Sequence, residues 1–321
     1  MARVAIGIPV YNGENFLGQC LDSLLKQTFA DFEIVISDNA SSDGTRGICE
    51  RYAAKDSRIH YYRNETNLGP GPNYNRVVHL SRGEYFKWAA HDDLHAPDYL
   101  EKCIRFLDHH PEVVLCHSKT CFIDGDGNKI GIYDDKLKTD SLYPHVRFRA
   151  LIMNVKCFDI FGVIRLDTLR KTPLHGSFGH ADGSLLTRLG LMGAFYEVPE
   201  YLFLNRDHPE KSIYKYSTFR DYSVFYDPKN EGKILFPRWR LGYEYVKSVF
   251  AVPMDMSERL RCFFQMVYWI RHCWKSLAAN IVIASWLSIR KIITGVSPTA
   301  RSNGEKLKAN SVHRRAPDPK I

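Results

Sequence analysis

Val4-Ala5-Ile6-Gly7-Ile8-Pro9-Val10-Tyr11-Asn12 is an apolar, β-branched run with no helical period, which stops at a proline and then offers Tyr11, Asn12 and Glu14. A strand buried on both faces reads this way, and it hands its polar groups to whatever lies at its carboxyl end. Trp88-Ala89-Ala90-His91-Asp92-Asp93 repeats the pattern more sharply, because two adjacent carboxylates follow the apolar stretch Tyr85-Phe86-Lys87-Trp88-Ala89-Ala90. Like charges held side by side are costly unless a cation sits beside or between them. A divalent metal ion is the expected one.

Outward from these two stretches, strand patterns fall at residues 4–9, 33–37, 59–63, 85–90 and 113–122, with helical periods between them at 15–27, 45–54, 72–80 and 97–109. Alternation of this kind predicts an α/β fold, a mostly parallel sheet with helices on both faces. The loops agree with it. Asp38-Asn39-Ala40-Ser41-Ser42-Asp43-Gly44-Thr45 is dense in turn and capping residues, and Asn67-Leu68-Gly69-Pro70-Gly71-Pro72 is expected to hold no regular structure. Asp124-Gly125-Asp126-Gly127-Asn128 marks a hairpin turn. It resembles a calcium loop only superficially, since the sixth position is Lys129 instead of Gly and the twelfth is Asp135 instead of Glu.

The 321 residues, 45% of them hydrophobic, suffice for one large α/β domain and an appendage. The net charge of +8 is unevenly placed: residues 259–321 hold twelve Lys/Arg against Glu305 and Asp318, a net of +10 that leaves −2 for residues 1–258. A slightly acidic body with a basic end argues against a nucleic-acid-binding module, and none of the known modules appears. Eight cysteines without a CxxC pair read as buried free thiols in a reducing cytoplasm, and the amino terminus shows no secretory leader pattern. Between 259 and 293 the sequence becomes aromatic, aliphatic and basic. On a helix, Arg261, Arg271, Lys275 and Arg290 share an arc of about 100°, beside Phe264, Trp274, Ile281, Trp286 and Ile289. The longest charge-free run, 276–289, is shorter than the ~20 residues of a spanning helix, so the segment is expected to lie in a membrane interface. Packing on the core is the alternative. Residues beyond Pro298 read as a disordered basic tail.

Taken in order, Pro9-Val10-Tyr11-Asn12-Gly13-Glu14, Ser37-Asp38-Asn39, His91-Asp92-Asp93, Phe161-Gly162-Val163-Ile164-Arg165, His180-Ala181-Asp182 and Arg206-Asp207-His208 resemble the motif series of glycosyltransferase family 2. The resemblance spans residues 3–215 and implies a GT-A fold, Rossmann-like, binding a nucleotide diphosphate sugar. It implies domains at 1–215 for the GT-A unit, 216–294 for a helical, membrane-associating extension and 295–321 for the tail. Asp38 is placed to accept from a nucleobase N–H and Tyr11 to pack on the base; by resemblance these two, with Pro9 and Glu14, line the nucleotide pocket. The family pattern gives Asp92 to the ribose, Asp93 to a Mg²⁺ or Mn²⁺ ion bridging the phosphates, and His208 to the same ion or diphosphate. Asp182 takes the general base position, which deprotonates the acceptor hydroxyl. His91 stands where relatives have an acid. The implied activity is inverting transfer from a donor, UDP-linked by expectation, to a glycan or lipid-linked acceptor of the cell envelope. The basic face implies an anionic membrane partner, with the protein peripheral on the inner face of the cytoplasmic membrane. A GT-A scaffold without chemistry is the rival, opposed by the presence of Asp38, Asp93 and Asp182.

Overall fold

The computed structural model describes residues 2–294 apart from 155, 217 and 218. Nine strands run β1 (Val4–Val10), β2 (Phe32–Asp38), β3 (Ile59–Arg63), β4 (Tyr85–Trp88), β5 (Leu94–His95), β6 (Val113–Ile123), β7 (Lys129–Tyr133), β8 (Val163–Arg165) and β9 (Ala194–Arg206). Among the described residues eleven α-helices lie between and after the strands: α1 (Leu17–Leu25), α2 (Thr45–Lys55), α3 (Pro70–Leu80), α4 (Tyr99–His109), α5 (Pro144–Met153), α6 (Leu166–Arg170), α7 (Ala181–Met192), α8 (Ser212–Lys215), α9 (Phe219–Tyr226), α10 (Pro237–Ala251) and α11 (Met256–Thr294).

The strands form one sheet in the order β3-β2-β1-β4-β8-β6-β9-β5, with β7 on β6. Its first four strands are parallel, as the βαβ alternation requires, and β6 and β9 are parallel to each other. The short β8 runs antiparallel between β4 and β6. All seven residues of β1 are buried. Its even-numbered residues, Val4, Ile6, Ile8 and Val10, join the core under α1, α2 and α4, while Ala5 joins the opposite core under α3, α6 and α7. Gly7 lets α3 approach: a Cβ there would lie 2.6 Å from Val77 Cγ2. Pro9 stands two residues beyond the last β1–β4 pair, Gly7 with Trp88, where a missing N–H costs that ladder nothing.

α4 buries Tyr99, Leu100, Cys103, Ile104 and Leu107, the 3–4 spacing of an amphipathic helix. Each such leucine contributes roughly 1.5–3 kcal/mol by leaving water. α3 begins inside the segment expected to be irregular, at Pro70. Prolines suit a first helical turn, whose N–H groups have no partner in the helix, and Gly69 supplies the positive φ of 82° that turns the chain into it. Lys87 lies fully buried between the layers, donates to Phe161 O beside the Tyr99 hydroxyl bond to the same oxygen (3.0 Å), and sits 4.2 Å from the Tyr99 ring centroid. Burial pulls its ammonium down to about 7.

The Asp124 region is a plain turn, its carboxylate accepting from Asp126 N (3.0 Å) and Asn128 N (2.8 Å). All eight cysteines are free thiols. α11 is a single helix of 39 residues. Its Cys262, Met266, Trp269 and Leu277 face shares an apolar cluster with Phe148 and Ile152 of α5, Leu191 of α7, and Leu241, Tyr245 and Val249 of α10. Its other side exposes Phe264, Val267, Tyr268, Trp274, Ile281 and Trp286. No described helix is long and apolar enough to cross a membrane. The tail at 295–321, predicted from sequence to be disordered, lies outside the described residues.

Candidate active site

The loops after β1 and β2 are laced together at the carboxyl edge of the sheet. Asn12 N donates to Ser41 Oγ (2.9 Å), Gly13 N to Thr45 Oγ1 (2.8 Å) and Glu14 N to Asp43 Oδ2 (3.1 Å), while Ser42 N and Gly44 N donate back to Asn12 Oδ1 (2.9 Å) and Glu14 Oε2 (2.7 Å). Asn12, at φ 52°, adopts the left-handed backbone this reciprocity needs. Glu14 therefore secures the amino end of α2, a role the sequence reading did not foresee, and Tyr11 projects from the laced loop with 46% of its surface exposed. Pro9 is buried within β1.

Asp38 is fully buried. Its Oδ1 accepts from Ser41 N (2.8 Å), and its Oδ2 from the Tyr61 hydroxyl (2.8 Å) and from Arg63 Nη1. With these donors in place the carboxylate presents no open face, so the group shown to solvent is the Arg63 guanidinium, which also donates to Ser41 O (2.8 Å). Asp38, the residue expected to meet the nucleobase, accepts here from two side chains of β3 that the β2 sequence does not announce.

The paired aspartates separate into two environments. Asp93 is 1% exposed, and both its oxygens are taken: Oδ1 by Arg206 N (2.8 Å) and Asn205 Nδ2 (3.1 Å), Oδ2 by Asn205 Nδ2 (3.1 Å). Burial, then the adjacent Asp92 charge, pushes its carboxyl up. Asp92 keeps 15% of its side chain exposed, and its Oδ2 lies 3.0 Å from His208 Nε2. Burial raises its carboxyl too, but His91, the His208 hydrogen bond and Lys211 outweigh that and hold it below the usual carboxylate range. Asp92 thus faces an imidazole, while Asp93, the residue given the metal by resemblance, accepts from Asn205 and Arg206 and fastens β9 to the 91–93 loop.

Arg206 completes that fastening. It is fully buried, and its guanidinium reaches Asp92 O (2.9 Å), Asp124 O (3.1 Å), Gly125 O (2.7 Å) and Gln19 Oε1 (2.7 Å). The sequence marks Arg206 only as part of the Arg206-Asp207-His208 motif and gives Asn205 no role, although their place directly after the apolar Leu202-Phe203-Leu204 marks a strand end of the same kind as Asp92. Lys211, bonded to Asn205 Oδ1 (2.8 Å), adds a cation beside the pair.

Asp182 stands in the first turn of α7 with 32% of its side chain exposed; its Oδ1 accepts from Gly183 N (2.8 Å) and lies 3.8 Å from His180 Nδ1. The Tyr74 phenol is pushed upward by desolvation first and then by the charges of Asp92, Asp93 and Asp182. His175 packs 5.0 Å from the Tyr74 ring and 5.1 Å from Trp88; burial pulls it down to about 4, with Asp182 opposing.

Two side chains of this site suit a divalent ion. Adjacent ligands on an octahedral ion lie about 3 Å apart, the spacing of Asp92 Oδ2 and His208 Nε2, and the buried Nδ1 of His208 has no hydrogen-bond partner among the described residues.

An open α/β sheet with this carboxylate and imidazole at its carboxyl edge defines an α/β protein of the GT-A type. The sequence model of the family described as "Glycosyl transferase family 2" matches residues 5–164. The chain carries a glycosyltransferase family 2 domain. It is 34% identical over 127 residues to the uncharacterized glycosyltransferase MJ1057 of Methanocaldococcus jannaschii, covering 39% of this chain and 44% of that one. An uncharacterized glycosyltransferase of Haemophilus influenzae is 33% identical over 143 residues, 44% of this chain and 56% of the other. The chain thus spans about half the length of these curated relatives. Among solved structures, S. aureus TarS 1–349 in complex with UDP-GlcNAc superposes with a TM-score of 0.63 at 18% identity, covering 84% of this chain and 72% of TarS. The mannosyltransferase PcManGT from Pyrobaculum calidifontis, in complex with GDP-Man and Mn²⁺, gives 0.50 at 16% identity over 90% and 87%. At such identities the likeness is one of fold.

Proposed function

We propose that this chain is an inverting glycosyltransferase that moves a sugar from a nucleotide diphosphate donor, UDP-linked, to a glycan or lipid-linked acceptor of the cell envelope. The observation that carries this reading is the Asp92–His208 contact at 3.0 Å. The UDP-GlcNAc and GDP-Man complexes of the two structural neighbours support the donor class, and the Mn²⁺ of the second supports a divalent ion. Inversion follows the resemblance of the motif order to the family.

In this reading Asp92 and His208 hold Mg²⁺ or Mn²⁺, the imidazole nitrogen favouring Mn²⁺. When bound, such an ion supplies charge neutralisation for the departing diphosphate. Lys211 adds positive charge on the same side. Tyr11 offers its exposed ring to the base, and Arg63, fixed by Asp38, gives the pocket a cation. Asp182 accepts the proton as the acceptor O–H breaks; the acceptor oxygen forms its bond to the anomeric carbon from the face opposite the phosphate, and the bond to the diphosphate breaks. The rival reading, a scaffold without chemistry, leaves the ionised Asp92 facing its imidazole without a purpose.

The exposed side of α11 supports attachment to an anionic membrane surface on the cytoplasmic side. Arg261, Arg271, Lys275 and Arg290 accompany its exposed aromatic and aliphatic residues, and no acid follows Glu258 within the helix. Lying in the interface satisfies both groups at once.

The deciding experiment is a thermal-shift panel of UDP- and GDP-sugars with and without Mn²⁺, followed by release of nucleotide from each stabilising donor. A donor that raises the melting temperature only with Mn²⁺, and is turned over, supports the reading. Stabilisation by none of them overturns it.

A further inference from the structure

Asp182 belongs to a second group of metal-ligating atoms, and its two partners there take no part in the transfer reaction. One ligand atom each from Cys157, His180 and Asp182 falls within 4.8 Å of the others. Cys157 Sγ is 4.0 Å from His180 Nε2, and His180 Nδ1 is 3.8 Å from Asp182 Oδ1. Neither Asp92 nor His208 belongs to this group, and its chemistry differs from theirs: sulfur, nitrogen and oxygen together are the donors of zinc.

The local backbone is built around this meeting. Cys157 (φ 49°) and His180 (φ 67°) both occupy the left-handed region, uncommon for residues with a Cβ. Gly183 leaves room for the imidazole, since a Cβ there would lie 2.5 Å from His180 Nε2. Cys157 is buried, while His180 and Asp182 keep 23% and 32% of their side chains exposed, so an ion has a way in from solvent. Ligands of a tetrahedral zinc ion lie about 3.5 Å apart. One ring nitrogen alone can bind the ion, so closing a spread of up to 4.8 Å to that value takes about 1.3 Å of movement shared among three side chains.

We propose that Cys157, His180 and Asp182 form an inhibitory Zn²⁺ site. On binding, the Cys157 S–H bond breaks, its proton passes to solvent, and Zn–S, Zn–N and Zn–O bonds form, with water in the fourth position. The Asp182 carboxylate is then a zinc ligand and no longer accepts a proton from an acceptor hydroxyl. The inhibition rests on the base role proposed for Asp182; the zinc site itself does not.

The test titrates the full-length protein with Co²⁺, used as a spectroscopic stand-in for Zn²⁺, in excess Mg²⁺. The expected result is a one-to-one complex with a thiolate-to-cobalt charge-transfer band, discharged by Zn²⁺. The band should vanish in Cys157→Ser and weaken at least tenfold in affinity in His180→Gln, each checked for an unchanged melting transition. His180→Gln alters a part-exposed side chain and carries the test if Cys157→Ser does not fold. A missing band in the wild type, or one that survives both substitutions, overturns the site. In the transfer assay, micromolar Zn²⁺ should inhibit the wild type and lose at least tenfold potency against Cys157→Ser. Equal inhibition of both overturns the inhibitory role. Should no donor support transfer, the cobalt spectrum still decides the site independently.

Discussion

Asp92 Oδ2 and His208 Nε2 meet at 3.0 Å across 116 residues of chain, an oxygen and a nitrogen delivered by the ends of β4 and β9. Asp93, one residue along, faces the other way into three hydrogen bonds with Asn205 and Arg206. Opposite substitutions should separate the two. Asp92→Asn should abolish the Mn²⁺-dependent rise in melting temperature with a UDP-sugar while leaving the unliganded protein nearly as stable. Asp93→Ala should cost the unliganded protein roughly 1–3 kcal/mol, because it strands buried donors. Urea titration and thermal shift on both variants check this. A Mn²⁺ response lost only in a well-folded Asp93 variant would return the ion to Asp93.

Asp182→Asn should bind donor and Mn²⁺ as the wild type does and turn over roughly 10²–10⁴-fold more slowly, the contribution of a positioned base. Single-turnover rates at saturating donor measure it. Weakened donor binding with undiminished turnover would place Asp182 outside the proton-transfer step.

Lys87 yields a prediction with a pH signature. Its pKa falls from 10.5 unfolded to about 7 folded through burial, so the native state resists charging. Stability is therefore lost as pH falls from 10.5 towards 7, and the full penalty stands below 7. Lys87→Met removes that penalty and leaves Phe161 O still served by the Tyr99 hydroxyl. The variant should gain most over the wild type near pH 6.5. The gain should shrink by up to about 1.4 kcal/mol per pH unit above pH 7. Urea unfolding at pH 6.5 and 9.5 reads the difference directly, and a gain independent of pH would refute the buried-charge account.

The exposed side of α11 should bind anionic vesicles with an affinity that falls as salt rises. Removing the helix is a poor test, because Cys262, Met266, Trp269 and Leu277 are part of the core. Arg271→Glu combined with Lys275→Glu leaves that core intact and should abolish co-sedimentation at low salt. Wild-type protein that ignores anionic vesicles at every ionic strength would refute membrane attachment.

What the sequence made legible was whatever depends on local pattern. β3 lies at the residues its pattern marks, and β1, β2 and β6 fall within a residue or two, because a buried parallel strand is a continuous apolar run between turn residues. The different surroundings of Asp92 and Asp93 were not legible. The two are adjacent and alike, and what separates them is the backbone N–H of Arg206 and the amide of Asn205, more than a hundred residues away. The partners of Glu14 and Asp38 were hidden for the same reason, each lying on another element. The helical segment near the carboxyl end was read as either packed or membrane-facing. The structure gives it a packed face and an exposed apolar and basic one, which periodicity alone could not apportion.

Arg206 has a consequence for dissecting this protein. The stretch that matches the family ends at residue 164, before β9, yet the loop bearing Asp92 is clamped by a guanidinium that also grips α1 through Gln19 and the β6–β7 turn through Asp124 and Gly125. A fragment cut at that border would keep every aspartate of the amino-terminal half and lose the clamp, the imidazole and the donors that satisfy Asp93. The smallest piece able to hold the site therefore extends through His208, and the unit recognised by its sequence is smaller than the unit that can work.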